Sequence, residues 1–191
     1  MVTKRHILYA VFGFIAISAG IVTVVFSIYQ AKPRLTTRSD QRAATIGTRQ
    51  QQSSAAHLYF ADKDNLFLIA ERRILRHTQD PINFSRKIVE ALIKGPSDGF
   101  TRTIPQDTIL RALYITADGI CYVDVSAEIK ENHPGGVQSE LLTLYSLVNS
   151  LILNIPEIQA VKILIDGHES MTLVGHIDLQ EPLKANMLLI R

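Results

Sequence analysis

Cysteine is nearly absent from this 191-residue chain. The single one, Cys121, excludes an internal disulfide and a cysteine-rich metal site, and it lies too far along to carry an amino-terminal lipid. Its setting, Ile120-Cys121-Tyr122-Val123, reads as a strand in which the thiol serves as a small buried apolar group. Catalytic signatures are lacking as well. The six histidines form no H-x-x-x-H or H-E-x-x-H pair and no cluster with cysteine. The glycines never space as G-x-G-x-x-G or as a P-loop, and no serine sits in a nucleophile elbow. No catalytic residue, no cofactor and no metal is therefore expected.

Basic charge is scarce where a nucleic-acid surface would need it. Residues 1–56 carry Lys4, Arg5, Lys32, Arg34, Arg38, Arg42 and Arg49 against Asp40, a balance of +6. Residues 57–191 hold 13 basic against 17 acidic residues, a balance of −4. The part able to fold is mildly acidic, which argues against nucleic-acid binding. The cations crowd instead near the amino end, where they suit anionic headgroups.

What is present is a run of 23 residues without charge, 7–29. At about 1.5 Å per residue a helix of that length crosses the roughly 30 Å hydrocarbon layer. A cleaved signal has about 7–15 apolar residues and a small-residue cleavage site; here the run is longer and leaves through Ile28-Tyr29-Gln30-Ala31-Lys32. The expected organisation is a cytoplasmic tail at 1–6, an uncleaved transmembrane anchor at 7–29, a flexible basic linker at 30–56 and one domain at 57–191. A coil of 27 residues has a span of about 30 Å. Lys4 and Arg5 precede the run while Lys32, Arg34 and Arg38 follow it, so positive charge alone leaves the orientation open.

Within the domain, strands are expected at 57–60 and 66–70, the second extending toward 75, around a polar turn at 62–65. Asp80-Pro81 opens a helix as cap and first residue, and Gly95-Pro96 ends it. Asn83, Arg86, Lys87, Glu90 and Lys94 form its polar stripe, and Ile88, Val89, Leu92 and Ile93 its apolar one. Strands at 109–116 and 120–125 flank the turn Ala117-Asp118-Gly119. A second helix over about 138–153 shows Ser139, Thr143, Ser146 and Ser150 on a polar face. Leu141, Leu144, Tyr145, Val148, Leu151 and Ile152 fall on its buried face. A strand at 160–165 turns at Asp166-Gly167, and clean alternation over 171–179 predicts a last strand. The order ββα-ββα-ββ, with two amphipathic helices needing one sheet face, predicts an α+β two-layer sandwich with a mixed or antiparallel sheet.

Three sets of polar residues invite a chemical reading. His168 and His176 are placed to face each other across the last hairpin, with Asp166 or Asp178 nearby, as a metal or acid–base pair; solvated polar positions give the same pattern. Asp124, Ser126 and Glu128 read as a strand-end cap, the alternative being a hydrolytic pair of Asp124 and Ser126. Asn149 borders the apolar face of the second helix, either exposed or bonding backbone at the helix–sheet seam.

Leu58-Tyr59-Phe60 followed by Asp62, Ala91-Leu92-Ile93-Lys94-Gly95-Pro96, Ile104-Pro105 before Thr108, and Tyr122-Val123-Asp124-Val125-Ser126 stand in register. Leu147-Val148-Asn149-Ser150-Leu151, residues 161–167, Gly175-His176-Ile177-Asp178-Leu179 and Glu181-Pro182 continue the series. Over residues 57–183 the set resembles the GerMN domain of sporulation and spore germination proteins. The resemblance implies an extracytoplasmic envelope module without known catalysis, with a fold similar to ring-building domains of secretion and sporulation channels; the apolar run at 7–29 is what would hold it at the inner (cytoplasmic) membrane. The namesake carries two such domains on a lipid anchor, whereas this chain has one domain and an apolar run. Expected partners are the membrane and envelope proteins, self-association included, with no nucleic acid and no small-molecule substrate. The alternatives are an envelope hydrolase acting on cell-wall material and a small-ligand or lipid-headgroup binding domain.

Overall fold

The computed structural model describes residues 53–191 apart from His77 and Asp98. The candidate tail and anchor at 1–29, and the linker up to residue 52, lie outside the described residues. Among the described residues no helix is long and apolar enough to cross a membrane.

β1 (Ser53–Ala61) and β2 (Leu68–Arg76) form a long antiparallel hairpin in which Ser53 faces Arg76 and Ala61 faces Leu68. β1 starts four positions before the expected strand, because residues 53–56 find partners at 73–76 and Ala56 is fully buried. α1 (Pro81–Lys94) matches its expected ends. The Asp80 side chain accepts the Ile82 N–H at 3.0 Å, and Pro81 occupies the first turn, where no donor is needed. At the other end Gly95, at φ +97°, lets the chain leave, and two arginines cover the orphan carbonyls. Arg102 donates to Ile93 and Lys94, and Arg73 to Ala91 and Gly95. Cations at a helix carboxy terminus also oppose its dipole. A Cβ on Gly95 would come 2.4 Å from the Arg102 guanidinium, so this glycine serves close approach as well as conformation.

β3 (Leu110–Ile115), β4 (Ile120–Val125), β5 (Ala160–Ile165) and the two-residue β6 (His168–Glu169) make a second, mixed sheet in the order β3-β4-β5-β6. β4 and β5 run parallel; the outer pairs are antiparallel. Between β4 and β5 lie a short helix α2 (Glu128–Glu131) and the long α3 (Val137–Ile152). The core joins Leu58 and Phe60 of the hairpin, Ile88 and Leu92 of α1, Leu144, Leu147 and Leu151 of α3, and Val123, Val161 and Ile163 of the sheet.

The α+β class and the mixed sheet stand, but the single sheet does not. α3 is the reason. Its Thr143, Ser146 and Ser150, expected in solvent, are buried, and the two serines serve β1 as a neighbouring strand would. Ser150 Oγ accepts the Tyr59 N–H at 3.0 Å, and Ser146 donates to the Tyr59 carbonyl at 2.6 Å. One turn further, Asn154 accepts from His57 N–H and donates to its carbonyl. Ala61 is paired by backbone with Thr101. The inner edge of β1 is thus closed by side chains, so hairpin and sheet stay separate.

The strand expected at 171–179 is also corrected. There only an isolated bridge, Thr172 to Asp178, survives; further on Leu183 bridges Val161 of β5, and the rest up to a 3₁₀ turn at Met187–Leu189 is irregular.

Candidate functional site

The irregular segment owes its path to a buried anion. Glu140, in the first turn of α3, has no solvent exposure. Its Oε1 accepts the N–H groups of Leu173, Val174 and Ile177 at 3.1, 3.1 and 3.2 Å. Its Oε2 accepts the His176 N–H at 3.0 Å and meets His176 Nδ1 at 2.9 Å. N–H groups that a strand would give to a neighbour converge on one carboxylate, with Gly175 at φ +109° closing the curl. Burial pushes the Glu140 carboxyl up, but the converging amides and the His176 ring prevail and hold it below the ordinary range.

A buried cation pins the next stretch. Lys162 of β5 is 4% exposed, and its Nζ donates to the carbonyls of Leu179 and Gln180 and reaches Glu169 Oε2 at 3.3 Å. Asn149, fully buried, exchanges two hydrogen bonds with the backbone of Asn186; it bonds backbone rather than facing solvent, but that of the irregular segment and not of the sheet. Anion, cation and amide together fasten a segment that has almost no ladder of its own.

The expected histidine pair is not assembled. His168 stays in the β5–β6 hairpin with Nδ1 at 2.8 Å from the Asp166 carbonyl, while His176 belongs to Glu140. Asp178 caps its own turn through Gln180 N–H. Among the described residues no group of three or more His, Cys, Asp or Glu converges to hold a metal.

Asp124 and Ser126 lie in structural networks. Asp124 accepts the Gly167 N–H at 2.7 Å and Arg111 Nε at 3.3 Å, and Arg111 also reaches Asp166 at 3.0 Å. Arg111 occupies the register shift between Leu110 and Ala112, a bulge that re-aims its side chain. Asp166 and Gly167, at φ +51° and +77°, make the tight turn these bonds secure. Ser126 Oγ accepts the Ile109 N–H at 2.9 Å. The Ser126 hydroxyl and Glu128's own N–H hold the Glu128 carboxyl below its ordinary range, with Arg111 adding to the effect. The bonds that Asp124 and Ser126 make join strand ends.

Sequence reasoning missed a cleft of about 650 Å³ beside the start of α3. Ala61, Ile104, Pro105 and Leu142 supply apolar wall, and Thr101 and Val137 line it too. α3 begins there on Gly136 with no side-chain cap. Behind the wall runs a fixed proton order. Gly135 N–H donates to His133 Nδ1, so Nε2 bears the hydrogen directed at Thr143 Oγ1, 3.0 Å away, and Thr143 donates to the Thr103 carbonyl. Burial pushes the His133 pKa down, outweighing the charge of Glu140 and the Ser139 backbone.

The family model described as Germane, sporulation and spore germination, matches residues 57–170. The chain belongs to this family. Its Germane domain is similar to the tandem GerMN domains of the sporulation protein GerM from Bacillus subtilis, at 25% identity and a TM-score of 0.59. That match covers 70% of this chain and 46% of the tandem, so this chain spans less than half of it. A candidate lipoprotein from Clostridium perfringens is 25% identical with a TM-score of 0.51, over 69% of this chain and 87% of the other. The first GerMN domain of the Bacillus protein shares the fold, at 24% identity and a TM-score of 0.55, covering 69% of this chain and 97% of its own. No curated protein matches the chain.

Proposed function

We propose that this chain is a single-pass, membrane-anchored envelope protein whose Germane domain binds other proteins, itself included, and performs no catalysis. The carrying observation is the edge of the four-stranded sheet. Among the described residues β3 pairs only with β4, so its outer N–H and C=O groups are available to an added strand. Ile109 and Tyr114 stand exposed beside it at 62% and 47%, and Tyr114 stacks on Tyr122 with ring centroids 4.7 Å apart. The uncharged run 7–29 supports the anchor, and the Bacillus sporulation protein and the Clostridium candidate lipoprotein support an envelope setting. A photo-crosslinker at position 114 in cells tests the binding role. The expected result is a discrete adduct with an envelope protein or a second copy, absent when the crosslinker is moved to Lys130. No adduct, together with a monomeric domain, refutes it. A reporter fused after Arg191 and active only in the cytoplasm refutes the envelope setting.

The cleft favours a second reading, a small-ligand domain, because its volume and mostly apolar lining suit a small molecule. A ligand that raises Tm in the native protein and not in Val137→Trp, which fills the cleft, would favour it.

A further inference from the structure

The outer face of the β1–β2 hairpin is covered over only half its length. At the far half Tyr59, Ala61 and Leu68 pack with Leu142. At the near half the register places Ser53 opposite Arg76, Ala55 opposite Ile74 and His57 opposite Arg72. All six side chains are exposed, with Ile74 at 58%. Lys87 of α1 brings a third cation to this end, donating to the Arg76 carbonyl at 2.8 Å. Among the described residues neither arginine nor Lys87 forms an ion pair. Of the acids around this end, Asp80 is occupied in the α1 cap and Glu71 is bound by Arg73 and Ser97. Glu157 borders a shallow hollow beside Ser54 and Ala55.

This basic face belongs to a domain with a net charge of −4 over residues 57–191, so it is a local segregation. Ser53, the first described residue, belongs to this face, and the sequence before it, residues 30–52, adds Lys32, Arg34, Arg38, Arg42 and Arg49 against Asp40. Arginine binds phosphate oxygens in pairs, and an apolar side chain between two arginines suits a headgroup layer better than a soluble anion.

We propose that Arg72 and Arg76, with Ile74 between them, seat the domain on anionic lipid headgroups. The proposal rests on the anchored reading above, which brings the domain to a bilayer, but its test is separate. Residues 53–191 enclose their own core, and this fragment is to be sedimented with vesicles of phosphatidylcholine alone or mixed with phosphatidylglycerol. Binding is expected only to the mixed vesicles and is expected to weaken as salt rises. Each cation near such a surface is worth about fivefold. Arg72→Gln with Arg76→Gln should therefore weaken binding about thirtyfold, and Lys130→Gln with Lys184→Gln should change it less than twofold. Equal loss in both pairs, equal binding to both vesicles, or no binding overturns the proposal. Displacement by inorganic phosphate at matched ionic strength also overturns it, by assigning the arginines to a free anion. Extraction of the full chain from membranes by alkaline carbonate would sink the anchor and leave the vesicle result standing.

Discussion

Replacing Glu140 by Gln changes no volume and removes one acceptor and one charge, so it isolates what the buried carboxylate does. In the native protein five donors converge on its two oxygens. The amide oxygen of Gln still serves the Leu173, Val174 and Ile177 side. Its NH₂ then meets the His176 N–H and ring, donor against donor. Hydrogen bonds to a charged partner contribute about 1.5–3 kcal/mol each, and a buried donor left without a partner costs about 1–3 kcal/mol. The side of the network toward His176 is discounted because that ring is 40% exposed. The expected loss is about 3 kcal/mol, a large share of the roughly 5–15 kcal/mol typical of a domain. Urea unfolding of residues 53–191 measures it, and amide exchange at positions 173–177 locates it. The pH dependence gives an independent sign. The folded-state pKa of Glu140 lies below its ordinary 4.5, so the unfolded chain binds the proton more readily. The stabilisation is complete above 4.5 and is lost as pH falls through the folded value. Glu140→Gln should flatten that part of the acid slope. A loss under about 1 kcal/mol, or exchange at 173–177 no faster than in the native protein, would refute the reasoning.

Ser150→Ala should strand the buried Tyr59 N–H and cost about 1–3 kcal/mol in urea unfolding, whereas Ser139→Ala on the half-exposed start of the same helix should cost less than about 0.5 kcal/mol. His133 has its pKa pushed below the ordinary 6.5. Its neutral form therefore stabilises the fold above pH 6.5, and that contribution declines as pH falls toward the folded value. Thermal melts between pH 7.5 and 5.5 should show the decline, and His133→Gln should reduce it.

Elements with punctuation at both ends were legible. Asp80-Pro81 and Gly95-Pro96 mark α1 to the residue, and Asp166-Gly167 marks the β5–β6 turn. α3 was legible as a helix but not in its faces. Periodicity separates hydroxyls from leucines, yet it does not tell whether the hydroxyl stripe meets water or a strand edge 87 to 91 residues away. The same distance hid the fate of residues 171–179. Their alternation is that of a strand, and only Glu140, more than 30 positions earlier, diverts the N–H groups. One signal was available and passed over: Lys162 interrupts the apolar run Ala160-Val161-Lys162-Ile163-Leu164-Ile165, and a charge in a buried strand demands a partner. The cleft left no trace in sequence, since its wall draws on segments from residue 61 to residue 143.

The side-chain ladder from α3 to β1 works as a ruler. Four helical residues advance about 6.0 Å, and two strand residues advance about 6.6 Å. Ser150 near the end of α3 and Asn154 just past it therefore keep step with Tyr59 and His57, whereas Ser146 returns to Tyr59. The two pitches drift apart by about 0.6 Å per step, which limits such a ladder to a few rungs; at Ala61 the edge passes to the backbone of Thr101. A single inserted residue between Ser146 and Asn154 would turn the rungs past it by about 100° and take them off the strand. Length variation within the family is therefore expected before Ser146 or after Asn154 and not between them.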